Sequence, residues 1–346
     1  MSDDQPDLMT LSDLTTPWAI RVAATLRIAD LLAEGVTELD ELAGKAAVDA
    51  RALGRVLRYL TCRGIFSEPE RGRFALTDAA LPLQDSHPGG LRAWFDIEGA
   101  GGRMDKATSS MLEAVRTGEP SYSLVHGRGI WDDFAADPGV AASFDRLMVI
   151  KSSWLIADVV NGYDWPSVGH VVDVGGGAGL LLTEILRAHE GVRGTIVEQA
   201  PTVTRARDAI ATAGLADRCE AVVGSFFDPL PTVGDLYVLW NVLHDWTDAE
   251  AAAILRRCAE AAGDAGRVLI VEFGEQDPHS FTSMDLLMLV VNSGHERTVE
   301  EFTALAASAG LTMASATPTP SGLSLIELTK ARSTSLASSK TGTIGP

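Results

Sequence analysis

From residue 169 onward, short apolar runs alternate with helical patterns. The runs cover His170–Val174, Gly194–Glu198, Glu220–Val223, Asp235–Asn241 and Arg267–Phe273, with a last one near Ser324–Thr329. Between them the spacing predicts helices over Leu180–His189, Thr202–Ala213 and Asp248–Ala262, and another near Val299–Ala309. Runs of this length, apolar on both faces and separated by helices, predict an α/β fold with a doubly wound, Rossmann-like parallel sheet. The first hundred residues follow another rhythm. Trp18, Val22, Leu26, Ala29 and Leu32 recur at helical spacing between Thr16-Pro17 and Gly35, which predicts one helix over 17–34. Thr37 with Asp40 resembles a capping box for a second helix, and Asp49 opens a third that ends at Gly64. Ile65-Phe66 and Arg73–Leu76 flank the polar turn Glu70-Arg71-Gly72 and predict a hairpin. Three helices and a hairpin are the order of a winged helix.

The pattern divides the chain into a helical, winged-helix module over 1–100, a helical linker that also shapes a pocket over 101–165, the sheet over 166–330, and a Ser/Thr/Gly-rich tail over 331–346 that is expected to be disordered. Composition narrows the function. The 346 residues carry 28 Lys and Arg against 47 Asp and Glu, a net charge of −19, which argues against phosphate backbones and anionic lipid as partners. Within residues 1–100 the balance is 10 − 16 = −6, so a winged-helix DNA-binding regulator is a poor reading and a dimerisation element a better one. Apolar stretches such as Leu286–Val291 are far shorter than the ~20 residues that cross a bilayer, so no membrane partner is expected. The first twenty residues hold four Asp and no cation, unlike a secretory leader. Cys62, Cys219 and Cys258 cannot all pair and lie at no metal-ligand spacing, which suggests a reducing, cytoplasmic setting and no metal.

The most informative segment is His170-Val-Val-Asp-Val-Gly-Gly-Gly-Ala-Gly179, an apolar strand that ends in Asp173 and runs through Gly175 and Gly177 into a helix. Glycines there let the backbone approach a ligand at the carboxyl edge of the sheet. A dinucleotide fingerprint would need its third glycine at position 180, which is Leu180. Glu198, at the end of the next strand, is placed to accept from ribose hydroxyls. An acidic strand end without a base for pyrophosphate fits S-adenosyl-L-methionine, whose charge is a sulfonium cation. His244 follows the apolar strand Leu236–Val242 and can take a proton near neutral pH. Glu272 ends the following strand, and Glu296 precedes a helix that Thr298 can cap. Among the apolar side chains, Met148, Trp94, Phe95, Phe281, Met284 and Met288, with Asn292, are candidates to line a pocket for a flat aromatic substrate.

On Asp173–Gly179, Gly224-Ser-Phe-Phe227, Leu243-His-Asp-Trp246 and Gly294-His-Glu-Arg-Thr298, the chain resembles the dimeric small-molecule O-methyltransferases of plant phenolic and bacterial polyketide metabolism, over roughly residues 15–330. The resemblance implies a homodimer, S-adenosyl-L-methionine as cofactor, and methylation of a phenolic or polyketide-like hydroxyl in secondary metabolism. It implies that Glu272 and Glu296 flank a basic His244, and that Gly224, Ser225, Phe226, Trp240 and Trp246 join the cofactor site, with Trp246 stacking near the adenine. Two positions depart from the family pattern: Ser225 stands where an Asp contacts the adenine amino group, and Trp240 where a Lys or Ser is usual. They motivate an alternative, a divergent member that binds the cofactor and catalyses hydroxylation, decarboxylation or cyclisation.

Overall fold

A computed structural model describes residues 7–331; the expectation for the tail falls, beyond Ala331, outside the described residues. The chain divides into two compact units, residues up to 157 with 283–295, and 158–282 with the residues from 296 on. Segment 283–295, part of the 166–330 span in chain order, thus belongs to the first unit.

In the first unit, Asp49 caps the helix Ala50–Cys62 by accepting from the Ala52 N–H at 2.8 Å. The hairpin pairs β1 (Phe66–Glu70) with β2 (Arg73–Leu76). Two local expectations fail. The single helix over 17–34 is broken at Arg27, whose φ of 55° ends Thr15–Thr25 and starts Ile28–Ala33. The break turns the second piece onto β2 and the turn Asp78–Leu83, and the Arg27 guanidinium pairs with Asp30 and Asp85. The Thr37/Asp40 capping box does not form either. Thr37 instead accepts from the Phe74 N–H, Leu39 donates to the Gly72 carbonyl, and the helix Leu39–Ala46 starts from Glu38 without a side-chain cap. A third strand-like contact with the hairpin has taken the backbone that a cap would use. Residues 91–162 form a series of short helices, with breaks near 96–99 and 118–121, that ends in the long helix Pro138–Gly162.

The second unit is built on a seven-stranded sheet. Its strands are β3 (His170–Val174), β4 (Arg193–Glu198), β5 (Cys219–Val223), β6 (Leu236–Trp240), β7 (Arg267–Phe273), β8 (Leu311–Pro318) and β9 (Leu323–Lys330), in the order β5-β4-β3-β6-β7-β9-β8. The five strands from β5 to β7 are parallel, which the continuous apolar runs predict. The sheet as a whole is mixed, because β9 runs antiparallel to β7, and β8 to β9. β8 escapes a reading by hydrophobic pattern because it is an edge strand, exposed along most of its length. Val172, Tyr237, Leu239, Ile270 and Leu328 are wholly buried between the sheet and helices such as Asp248–Ala262 and Val299–Ser308. Both of these helices begin with complete capping boxes, Thr247 with Glu250 and Thr298 with Glu301. The chain reverses its direction of progress across the sheet between β3 and β6, the place where open α/β sheets bind ligands at their carboxyl edge. No helix among the described residues is long and apolar enough to cross a membrane.

Candidate active site

The carboxyl edge carries two groups of side chains, both in the second unit. The first surrounds the glycine-rich turn. Asp173 is 2% exposed at the end of β3, and its Oδ2 is buried without a hydrogen-bond partner among the described residues. A Cβ at Gly176 would lie 2.5 Å from that carboxylate, so only glycine lets the turn fold over it. At Gly179, φ is +85° and a Cβ would strike Ile196 at 2.6 Å, which again excludes a side chain. Burial, aided by the nearby Glu198 charge, pushes the Asp173 carboxyl up to about 7. Glu198 is raised too, because burial outweighs the backbone N–H bonds that it accepts from Gln199 and Gly177. The Gly224 N–H donates to the Glu198 carbonyl, and Ser225 Oγ accepts from the Phe227 N–H at 3.2 Å.

Beside this turn stands an aromatic box. Phe226 and Phe227 meet edge to face with ring centroids 5.0 Å apart, and Trp246 meets them at 5.5 and 4.9 Å. The Trp240 indole ends β6 with a buried Nε1 that has no partner among the described residues. The same is true of Oδ1 of Asn241, which is not among the predicted site residues and whose φ of 51° is rare for a non-glycine residue. A strained residue next to an apolar strand end is a signal that only coordinates reveal. An acid, a glycine turn, a ribose-height carboxylate, an aromatic box and orphaned buried polar atoms together fit a nucleoside-bearing cation.

The second group surrounds His244 on the short turn Leu243–Asp245. Its ring is 4% exposed, and Nδ1 lies 2.7 Å from Glu296 Oε1 and 3.6 Å from Glu272 Oε2. With Nδ1–H donating to Glu296, Nε2 keeps the lone pair a base needs. The two glutamates divide the work. Glu296 bonds the ring directly, whereas Glu272 accepts the N–H groups of Val242 and Leu243 through Oε1, at 3.1 and 2.9 Å, and so fixes the turn. Burial alone would lower the imidazole pKa, but the Glu272, Asp245 and Glu296 carboxylates reverse this and lift it to about 9. His244, Glu272 and Glu296 also have the donor types and spacing, within 4.8 Å, of a cation site. Here Nδ1 is engaged by Glu296 and one Glu272 oxygen by two amides, the arrangement of a hydrogen-bonded imidazole.

The pocket candidates are placed unevenly. Trp94, Met148, Met284 and Met288 pack around one apolar cluster of the first unit, and Asn292 is held there by its Nδ2 donating to Met288 Sδ and its Oδ1 accepting from the Gly294 N–H. Phe95 belongs elsewhere, against the core of the N-terminal helices and under the Arg21 guanidinium at 5.2 Å. Phe281 falls in the second unit.

Known proteins resemble this chain along most of its length. Residues 109–312 match the model of an O-methyltransferase domain, and residues 9–83 that of an O-methyltransferase dimerisation domain. The chain is 44% identical over 322 residues to 2,7-dihydroxy-5-methyl-1-naphthoate 7-O-methyltransferase of Streptomyces carzinostaticus, covering 93% of this chain and 97% of that one. It is 41% identical over 334 residues to aclacinomycin 10-hydroxylase RdmB of Streptomyces purpurascens, covering 93% and 89%. The crystal structure of NcsB1, an O-methyltransferase from neocarzinostatin biosynthesis in complex with S-adenosylmethionine and 2-hydroxy-5-methyl naphthoic acid, superposes with a TM-score of 0.89 at 43% identity, over 94% of this chain and 99% of that one. The winged-helix order of the first hundred residues is therefore that of a dimerisation domain, the mixed sheet that of a methyltransferase, and the chain belongs to the O-methyltransferase family.

Proposed function

We propose that this enzyme is an S-adenosyl-L-methionine-dependent O-methyltransferase that methylates a phenolic hydroxyl of a fused-ring aromatic, naphthoate-like or polyketide-like, with His244 as general base. The observation that carries the reading is the buried His244–Glu296 bond of 2.7 Å beside Glu272. When bound, the cofactor supplies an electrophilic methyl group on a sulfonium. Asp173 and Glu198 would hold its cationic and ribose ends, with Ser225, Phe226, Phe227, Trp240 and Trp246 around the base. Asp173 and Glu198 are the only acids in that group, which suits a ligand of positive charge.

The raised basicity of His244 is what a phenol requires. A phenol of pKa about 10 would give its proton to an ordinary imidazole, near 6.5, at a cost of about 5 kcal/mol. An imidazole at about 9 reduces that cost to about 1 kcal/mol. Glu296 fixes the tautomer and stabilises the imidazolium, and Glu272 keeps the turn in register. The acceptor pocket is assigned to Trp94, Met148, Met284, Met288 and Asn292. The acidic N-terminal module and its match to a dimerisation domain support a homodimer with no nucleic-acid partner, and the composition suits the cytoplasm.

A second reading is favoured by the 41% identical hydroxylase: the same fold and cofactor with oxygen insertion as the reaction. One experiment separates them. The enzyme is incubated with methyl-labelled S-adenosyl-L-methionine and a panel of hydroxynaphthoates and hydroxyanthraquinones, and products are read by mass spectrometry. Transfer of the label is the expected result; a product that gains oxygen without label would overturn the methyl-transfer reading.

A further inference from the structure

We propose that Arg297 is a positioning residue for the general base: its guanidinium clamps both ends of the turn that carries His244. The inference rests on the reading of His244 as base. Arg297 is 2% exposed, among the largest fully buried side chains of the described residues. It donates through one terminal nitrogen to the Leu243 carbonyl at 2.8 Å, and through the other to the Trp246 carbonyl at 2.8 Å. Those two carbonyls bracket His244 and Asp245. Nε and the same second terminal nitrogen also donate to Asp248 Oδ1, at 2.9 and 2.8 Å.

The turn is thereby held from two sides by opposite charges. Glu272 receives N–H groups at its start, and Arg297 gives N–H groups to carbonyls at its start and end. A planar fork is needed for this, because the acceptors lie in three directions that a single ammonium cannot serve at once. Arg297 also follows Glu296 directly, so the backbone that presents the Nδ1 acceptor is anchored to the turn that presents Nδ1. Burying a guanidinium is costly unless its donors are engaged, and here two of the groups it engages are backbone carbonyls of the His244 turn. Its geometric product is the register between the imidazole and its two glutamates.

The test compares Arg297→Lys with the unmodified enzyme in two measurements. The first is the pH titration of the His244 imidazole by NMR in the cofactor-free protein, where Glu272, Asp245 and Glu296 face the ring. The second is kcat and cofactor KM with a methylated substrate. The expected result is a His244 pKa shifted from about 9 toward the ordinary imidazole value, with kcat lower on the order of 10²-fold and cofactor KM little changed. Guanidinium added to Arg297→Ala should restore part of the loss. An Arg297→Lys protein with a wild-type titration and kcat, whatever its thermal stability, would overturn the proposal. Should neither variant fold, Asp248→Asn, at a side chain 72% exposed, decides: a smaller shift of the same sign supports the clamp, and no shift overturns it. If instead His244→Ala keeps its activity while the Arg297 variants shift the titration, the base assignment fails and the clamp stands.

Discussion

The His244 turn and the glycine-rich edge lie in one unit, on the same side of one sheet, and are completed in opposite ways. Around His244 the named donors and acceptors meet inside the chain: ring to Glu296, amides to Glu272, carbonyls to Arg297. Around the glycines, Asp173 Oδ2, Trp240 Nε1 and Asn241 Oδ1 are buried without a hydrogen-bond partner among the described residues. A buried polar atom without a partner typically costs ~1–3 kcal/mol, so the second region is organised for a ligand that completes it. The proposed base is thus preorganised by the fold, and the proposed cofactor edge by the ligand it would bind.

Four substitutions can break or sharpen this contrast. His244→Ala should lower kcat by roughly 10²–10⁴-fold and leave cofactor affinity, read by calorimetry, as it was. Loss of affinity along with rate would merge the two regions. Glu296→Gln should lower kcat by roughly 10²-fold and move the pH profile. With His244 acting as the proposed base in its neutral form, rate should rise with pH up to about 9, and removing a carboxylate that favours the cation should move this limb to lower pH. The charged imidazole also contributes stability below pH about 6.5 that fades as pH rises through about 9, which denaturant melts of the two proteins would show.

Asp173→Asn should instead weaken cofactor binding about 10-fold and spare the His244 titration. The pH dependence has the same sign for a different reason, since here burial favours the neutral carboxyl. Folding raises the Asp173 pKa to about 7, so its contribution to stability of the cofactor-free protein falls between about pH 4 and 7, while affinity for a cationic ligand rises over the same range. An affinity independent of pH would remove Asp173 from the site. The smallest effect is expected at Asp49→Ala, which removes a helix cap at a cost of about 1 kcal/mol and should leave kcat unchanged.

The parts of this architecture visible in the sequence are those fixed by local pattern. Apolar runs located the five parallel strands to within a residue or two, and chain order put Asp173, Glu198, His244 and Glu272 at or just beyond strand ends. What escaped was set by tertiary partners. β8 exposes most of its side chains and carries little periodic signal. Arg27 breaks a helix whose spacing runs on without a glycine or proline. The roles of the two glutamates depend on which atoms reach Nδ1, and sequence treats both as acids near a histidine. Arg297 enters the sequence only as one letter of the Gly294–Thr298 motif, and its contacts with the turn Leu243–Trp246 appear only in the fold.

The sheet order also sets when during synthesis the His244 turn gains its full lateral support. β9 is the last strand in chain order among the described residues, yet it lies between β7 and β8, with Ser324 paired to Glu272 itself. While the ribosome has yet to release Leu323–Lys330, β8 has no neighbour and β7 has one open flank. Glu272, which holds the His244 turn, therefore gains its second neighbouring strand only as β9 emerges, and until then the turn lacks that lateral support.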